Sequence, residues 1–184
     1  MNAVPFKRAG YMRADHFPSP RRACKGRRVH TCTKSTTTPS FALAPCHAND
    51  GDARITASIV PAEQRMDFLP KHFGARAMMK FEMSVYDWMG NLCPSYRGGY
   101  WNYVELSNGG AFMYPAGVDA FEFTVEGNGF HGTVSAEVAG IIATTFAING
   151  MLWRGWDSLA EKYELLLEFI GEHPESAAIR RALD

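Results

Sequence analysis

The two parts of this 184-residue chain carry opposite charges, and this division constrains which part can fold. Residues 1–50 contain nine Lys and Arg against two Asp, whereas residues 51–184 contain ten Lys and Arg against seventeen Asp and Glu, so the net charges are +7 and −7. All four Trp lie in the second part. A basic segment without a periodic apolar pattern cannot bury enough surface to offset its loss of conformational entropy. We therefore predict a disordered basic extension at residues 1–52 and a single folded domain at residues 53–184.

The cysteines and the apolar runs indicate the compartment in which the protein works. Cys93 is the only cysteine of the predicted domain, so that domain has no internal disulfide, which fits a reducing compartment. No apolar run reaches the roughly 18–20 residues that a membrane span requires. The first twenty residues also lack the apolar stretch of a secretory signal. We expect a cytoplasmic protein that has no membrane partner.

Apolar periodicity and turn residues predict helices on both sides of a group of strands. The predicted strands are Ile55–Val60, Tyr100–Leu106, Ala111–Tyr114, Ala120–Glu126 and Phe130–Val134, with turns at Asn108-Gly109-Gly110 and Gly127-Asn128-Gly129. Five helices are predicted. The first begins at Pro61 and ends at Pro70 or Gly74, and the second covers Met78–Leu92. The other three run from a Ser135 cap to a stop at Gly150, from a Ser158 capping box to Ile170, and from Pro174 to Leu183. This order predicts an α+β domain, in which an antiparallel meander of about four strands packs with flanking helices.

The residue types that carry chemistry form no recognisable motif. Cys24, Cys32, Cys46 and His47 lack the close pairs that are typical of structural zinc ligands. The chain has no G-x-S-x-G elbow, no H-E-x-x-H helix and no phosphate-binding Walker loop. These residues therefore identify no catalytic site, and we expect no metal and no cofactor.

Two other classes of function stay open at this point. A nucleic-acid-binding module would use the basic extension, whose Arg21-Arg22, Lys25 and Arg27-Arg28 can neutralise phosphates without reading sequence. A hydrolase without a known motif would use Asp87, Glu105 or His131 as its acid or base. The acidic domain itself should be repelled by DNA, so direct contact with nucleic acid is left open.

Several motifs of the predicted domain, taken in order, resemble one family. They are Val60-Pro61, Arg65-Met66 with Phe68-Leu69-Pro70, Val85-Tyr86-Asp87-Trp88-Met89, Leu92-Cys93-Pro94 with Tyr96, Gly98-Gly99-Tyr100-Trp101, Leu106-Ser107-Asn108-Gly109-Gly110, Gly127-Asn128-Gly129-Phe130, Ser135-Ala136 and, near the end, His173-Pro174-Glu175 and Ala177-Ala178-Ile179. Over about residues 53–184 this pattern resembles the ArdB/KlcA antirestriction proteins. The resemblance implies a small cytosolic α+β domain, often carried by plasmids and other mobile elements. It also implies a protein that relieves type I restriction of incoming DNA, spares modification and has no catalytic residues.

The resemblance further implies a protein partner, either a type I restriction-modification complex or an associated host factor. A protein that blocks cleavage and spares methylation must bind one state of that partner more tightly than another. The candidate partner-binding residues are Tyr86, Asp87, Tyr96, Tyr100, Trp101, Asn108, Gly109 and Gly110. Tyr and Trp commonly carry binding energy at interfaces, whereas the glycines also serve as turn residues.

Overall fold

The computed structural model describes residues 54–184, so the predicted extension at residues 1–52 lies outside the described residues. The strands of this part are β1 (Ala57–Ile59), β2 (Trp101–Leu106), β3 (Ala111–Pro115), β4 (Ala120–Val125) and β5 (Phe130–Ser135). Its α-helices are α1 (Arg65–Leu92), α2 (Ala136–Leu152), α3 (Ala160–Glu172) and α4 (Ser176–Leu183). The predicted α+β class with antiparallel strands is confirmed.

The strands divide into two sheets, a finer arrangement than the single meander that the sequence predicts. β1, β2 and β3 form one antiparallel sheet in that order, and β4 and β5 form a separate hairpin. The amide of Ala116 donates to Tyr100 O at 2.8 Å, next to the last paired residues of β2 and β3. Gly117 follows with a φ of 79° in the connection to β4. The two predicted glycine turns do join β2 to β3 and β4 to β5.

Helix α1 is interrupted once, at Gly74. This residue has a φ of 74° and a ψ of 148°, which glycine adopts without the steric cost that a Cβ brings. The expected stop at Pro70 is wrong, because Pro70 lies inside the helix, while the expected break at Gly74 is visible in its backbone angles. Phe68 and Phe73 of this helix are buried, whereas Met66 is 86% exposed.

Helix α2 lies at the centre of the domain and is buried on nearly all sides. The Ser135 side chain accepts from the amide of Val138 at 3.3 Å, so the predicted cap is confirmed. The helix continues past Gly150 to Leu152, which corrects the predicted end. All three other helices and β3 pack against it. No helix within residues 54–184 is both long and apolar enough to cross a membrane.

The last two helices close the domain over α2 and β3. The rings of Phe112 on β3 and Phe169 on α3 are 5.7 Å apart. The predicted capping box at Ser158 does not form, because a 3-10 turn at Asp157–Leu159 leads into α3 without a side-chain cap. Leu166 and Ile170 of α3 are buried, whereas Leu167 is 37% exposed.

Candidate functional site

The second half of α1 and the start of β2 bring together five aromatic residues, which we call the aromatic cluster: Tyr86, Tyr96, Tyr100, Trp101 and Tyr103. Trp101 is its buried centre, with 3% of its surface exposed. Its indole N–H donates to the Tyr96 hydroxyl at 2.8 Å, and the Tyr86 ring lies 5.1 Å from its own. Trp101 therefore positions its neighbours, and its predicted role as a direct contact is corrected by its burial.

One carboxylate holds two tyrosines of the cluster. The hydroxyls of Tyr86 and Tyr103 both donate to the same oxygen of Glu82, at 3.0 and 2.9 Å. Burial, and then the adjacent Glu82, raise the pKa of Tyr103 to about 12 and raise that of Tyr86 further. Both hydroxyls consequently stay protonated at neutral pH and act as hydrogen-bond donors. The pair fixes two rings of the aromatic cluster against α1.

Arg65 lies between two rings of the same cluster. Its guanidinium carbon is 4.3 Å from the centroid of Tyr100 and 4.3 Å from that of Tyr103, and its Nη1 donates to Trp101 O at 2.8 Å. Tyr100 is 58% exposed, so its ring is the part of the cluster that reaches solvent most fully. The result is an aromatic and cationic surface on a rigid base.

The Asn108-Gly109-Gly110 turn lies at the other end of β2 and is bound to α3. Asn108 donates to Leu165 O at 2.9 Å and accepts from the amide of Gly110 at 3.0 Å, while Lys162 donates to Gly109 O at 2.8 Å. The turn and the aromatic cluster are separated by the length of β2, so the structure does not unite the predicted residues in one surface. The contacts of Asn108 and of the Gly109 carbonyl hold the hairpin to the helix, and Gly110 is buried in the turn.

A polar group lies near the turn end of β2. Glu105 accepts from Lys71 Nζ at 2.8 and 2.9 Å and from His72 Nε2 at 2.9 Å. The hydrogen bonds from Lys71 and then His72 lower the pKa of Glu105, and burial lowers that of His72. Glu105 is thus an ionised carboxylate with its partners in place, an arrangement that ties α1 to β2.

The three residues considered for a hydrolase lie on separate elements. Asp87 is exposed on α1, Glu105 lies on β2 beside Lys71, and His131 on β5 bonds the Thr124 side chain at 2.9 Å. Within residues 54–184, no hydrogen bond or ion pair joins any two of them. The same part of the chain contains no group of three His, Cys, Asp or Glu side chains placed to share a metal ion. A surface depression elsewhere is lined by Asn128, Gly129, Phe130, Arg181 and Asp184, none of them a predicted site residue.

Comparisons with known proteins identify the family. A model of the antirestriction protein family matches residues 94–184. The antirestriction protein KlcA of Escherichia coli is 45% identical over 141 residues, which are 74% of this chain and 99% of that protein. A second KlcA from Escherichia coli is 42% identical over 137 residues, or 71% of this chain and 94% of its own length. This chain belongs to the ArdB/KlcA family of antirestriction proteins.

A solved structure of the ArdB/KlcA family has the same fold. It aligns with a TM-score of 0.68 at 45% identity and covers 74% of this chain and 100% of its own. That work describes KlcA and ArdB as having a novel fold and antirestriction activity against type I DNA restriction systems in vivo but not in vitro. The predicted resemblance to this family is confirmed.

Sequence reasoning missed three members of the site. Arg65, Glu82 and Tyr103 make the contacts that order the aromatic cluster, yet none is among the predicted partner-binding residues. Arg65 lies in one of the quoted motifs, whereas Glu82 and Tyr103 lie in none. Arg65 and Tyr100 are 35 positions apart, so no local spacing connects them. The spacing of Glu82 and Tyr86, four residues apart on one helix, is the one signal that could have linked a pair in advance.

Proposed function

We propose that this protein relieves type I restriction of incoming DNA by binding a protein partner, without catalysis and without blocking modification. The proposal rests first on family membership, since the solved relatives are described as active against type I systems. The partner is a type I restriction-modification complex or a host factor that acts with it. The site of action is the cytoplasm, where such complexes meet incoming DNA.

The observation that carries the proposal is the exposed face of the aromatic cluster. Tyr100 is 58% exposed yet is held against Arg65, which is itself fixed by Trp101 O. A side chain that is ordered before binding loses little conformational entropy on binding, so more of the contact energy appears as affinity. Tyrosine and arginine are also the residue types that most often dominate interfaces. This surface is therefore suited to recognise a partner.

Sparing modification requires a difference between two affinities. A ligand that binds two states of a complex equally well shifts neither, however tightly it binds. The protein must therefore prefer the state that translocates or cleaves DNA over the state that methylates it. A preference of about 1.4 kcal/mol already changes the ratio of the two states about tenfold.

The test is made in cells, because activity of the solved relatives is described in vivo but not in vitro. Unmodified phage is plated on a host with an active type I system, with and without the full chain. We expect the chain to raise the plating efficiency by about tenfold or more, in line with the shift of state populations above. Progeny phage plated again on the restricting host report whether methylation stayed intact, and we expect full modification.

A double variant locates the activity on the proposed surface. Tyr100→Ala with Asp87→Ala removes two exposed side chains and should weaken relief without unfolding the domain. The matched control is Glu122→Ala with His131→Ala, two exposed positions on the other sheet.

Absence of relief by the wild-type chain, or progeny that lack modification, would refute the proposed function. Equal loss in both double variants would refute its location.

A further inference from the structure

Arg65 is fixed by its surroundings, yet no acidic side chain of the part of the chain that the structure describes forms an ion pair with it. The guanidinium carbon lies 4.3 Å from the ring centroids of both Tyr100 and Tyr103. Within the described chain, the guanidinium donates one hydrogen bond, from Nη1 to Trp101 O. Within residues 54–184, the ion pairs are those of Glu105 with Lys71 and with His72. Arg65 thus keeps most of its five N–H donors without a protein acceptor.

This arrangement is unusual for an arginine that is only partly exposed. Buried or half-buried guanidinium groups are normally paired with a carboxylate, because their desolvation is otherwise uncompensated. The two rings and the carbonyl orient the planar group in advance, so a planar oxyanion could form two parallel hydrogen bonds to it. Glu82, the carboxylate bonded to Tyr103, is occupied by two tyrosine hydroxyls and forms no ion pair with Arg65.

We propose that Arg65, held between Tyr100 and Tyr103, binds an Asp or Glu side chain of the protein partner. This inference rests on the proposed function and names the chemistry by which the partner is recognised. Tyr100, 58% exposed, supplies apolar surface against the guanidinium, and Met66, the next residue of α1, is 86% exposed. Such surface excludes water from an ion pair in an interface and thereby strengthens it.

A protein carboxylate fits the charge of the molecule better than a DNA phosphate does. Residues 51–184 carry a net charge of −7. Duplex DNA carries about one negative charge per 1.7 Å of its axis and would be repelled along its whole length. A single carboxylate on a partner surface meets that repulsion only locally, since charges more than about 8–10 Å away are screened at physiological salt.

Substitutions at Arg65 test the assignment in the plating assay. Arg65→Lys keeps the charge but loses the planar fork, and Arg65→Met keeps most of the packing but loses the charge. We expect both to reduce relief by about tenfold or more, because losing one partner of a buried charge pair is costly. Arg76→Lys, at an exposed position of the same helix, is the matched control and should act as wild type.

Tyr100 provides a second pair of variants, for which we expect little effect on folding because its ring is 58% exposed. Tyr100→Phe keeps the ring over Arg65 and should keep relief, whereas Tyr100→Ala should lose it. Thermal unfolding of each purified variant separates recognition from folding. If wild-type relief is present but both Arg65 variants and Tyr100→Ala retain it, the inference is overturned and the proposed function stands. A loss of relief that follows the loss of thermal stability across the variants would also overturn it.

A photo-crosslinking amino acid at position 66 identifies the source of the anion in restricting cells. We expect an adduct with a protein segment that contains Asp or Glu, formed in lower yield when Arg65→Met is added. An adduct with DNA, an adduct whose yield is unchanged by Arg65→Met, or no adduct at all would overturn the carboxylate assignment.

Discussion

His72 is a buried ring with one bonded and one unbonded nitrogen. Its Nε2 lies 2.9 Å from Glu105 and its Nδ1 has no partner within the described chain. Since a carboxylate only accepts, Nε2 carries the proton of the neutral ring. A second proton would place a buried N–H at Nδ1 without an acceptor. The charged groups that face the ring are Glu105, Lys71 and Lys162. Burial lowers the pKa of His72, and this effect is larger than the opposite effect of the hydrogen bond to Glu105.

The sign of the resulting pH dependence follows from this lowered pKa. The stability contributed by neutral His72 is fully present above its unfolded pKa of about 6.5 and is lost as the pH falls through its lower folded pKa. Glu105 titrates separately, because its folded pKa lies below its ordinary value. We therefore predict that urea unfolding between pH 8 and pH 5 shows falling stability in the wild type and a flatter profile in His72→Phe. His131→Gln, at an exposed histidine, should keep the wild-type slope, and a wild-type slope in His72→Phe would contradict the prediction.

At the residue scale, the sequence identified side chains but not their contacts. The motifs pointed to Tyr86, Tyr96 and Tyr100, and the structure does bring them together. Burial decides which of the cluster can touch a partner, and burial of Trp101 depends on α1 folding over β2. Arg65 lies in one of the quoted motifs, but its contacts with Tyr100, Trp101 and Tyr103 were not predicted because they are long-range. Pairwise distances of this kind arise from packing and leave no period in the sequence.

Gly140 shows at the scale of an element why α2 can lie so close to β3. A Cβ at this position would lie 2.6 Å from Tyr114 Cα and also against Met113 O, both part of the backbone and unable to move aside cheaply. The helix therefore approaches the strand at a distance that only glycine permits. Thr144 lies one turn further on, and its hydroxyl oxygen accepts a hydrogen bond from the amide of Met113 at 3.4 Å, which continues the same contact.

Two glycines of α2 should therefore respond to alanine in opposite ways. Gly140→Ala should lower the free energy of unfolding by about 1–3 kcal/mol or more, because it overpacks the contact with β3. Gly150→Ala should leave it unchanged or raise it by about 0.5–1 kcal/mol, since alanine favours a helix interior and the nearest neighbour, Trp88 Nε1, would be 3.9 Å away. Denaturant unfolding measures both. Similar effects at the two positions would show that helix propensity, and not the close approach, controls Gly140.

Elements with one buried face were predictable, and the others were not. Turn glycines and alternating residues located β2 to β5 within one or two residues. The end of α2 was misplaced because a helix buried on all sides carries no amphipathic boundary at Gly150. The division into two sheets depends on the path of residues 116–119. Gly117 in this segment has a positive φ, but the sequence does not distinguish it from any other loop glycine.

The charge division that constrains the fold also separates two hypotheses about the whole molecule. The family match covers 99% of KlcA but 74% of this chain, and the solved relative is covered completely. About a quarter of this chain has no counterpart in KlcA, which is nevertheless an antirestriction protein by name. The excess of positive charge at residues 1–50 offers phosphates only an unspecific attraction that salt weakens.

We therefore predict that residues 53–184 alone relieve restriction as well as the full chain does. The surface that we propose recognises a partner lies wholly within this part. Plating of unmodified phage on a type I restricting host measures relief, and immunoblotting matches the amounts of the two proteins. A full-length control with Arg21, Arg22, Arg27 and Arg28 changed to Ala tests the basic residues without shortening the chain, and it should keep full relief. If the truncated protein and the arginine control both lose relief while the wild-type chain retains it, the basic extension carries the activity, and the nucleic-acid-binding alternative replaces a partner-binding domain.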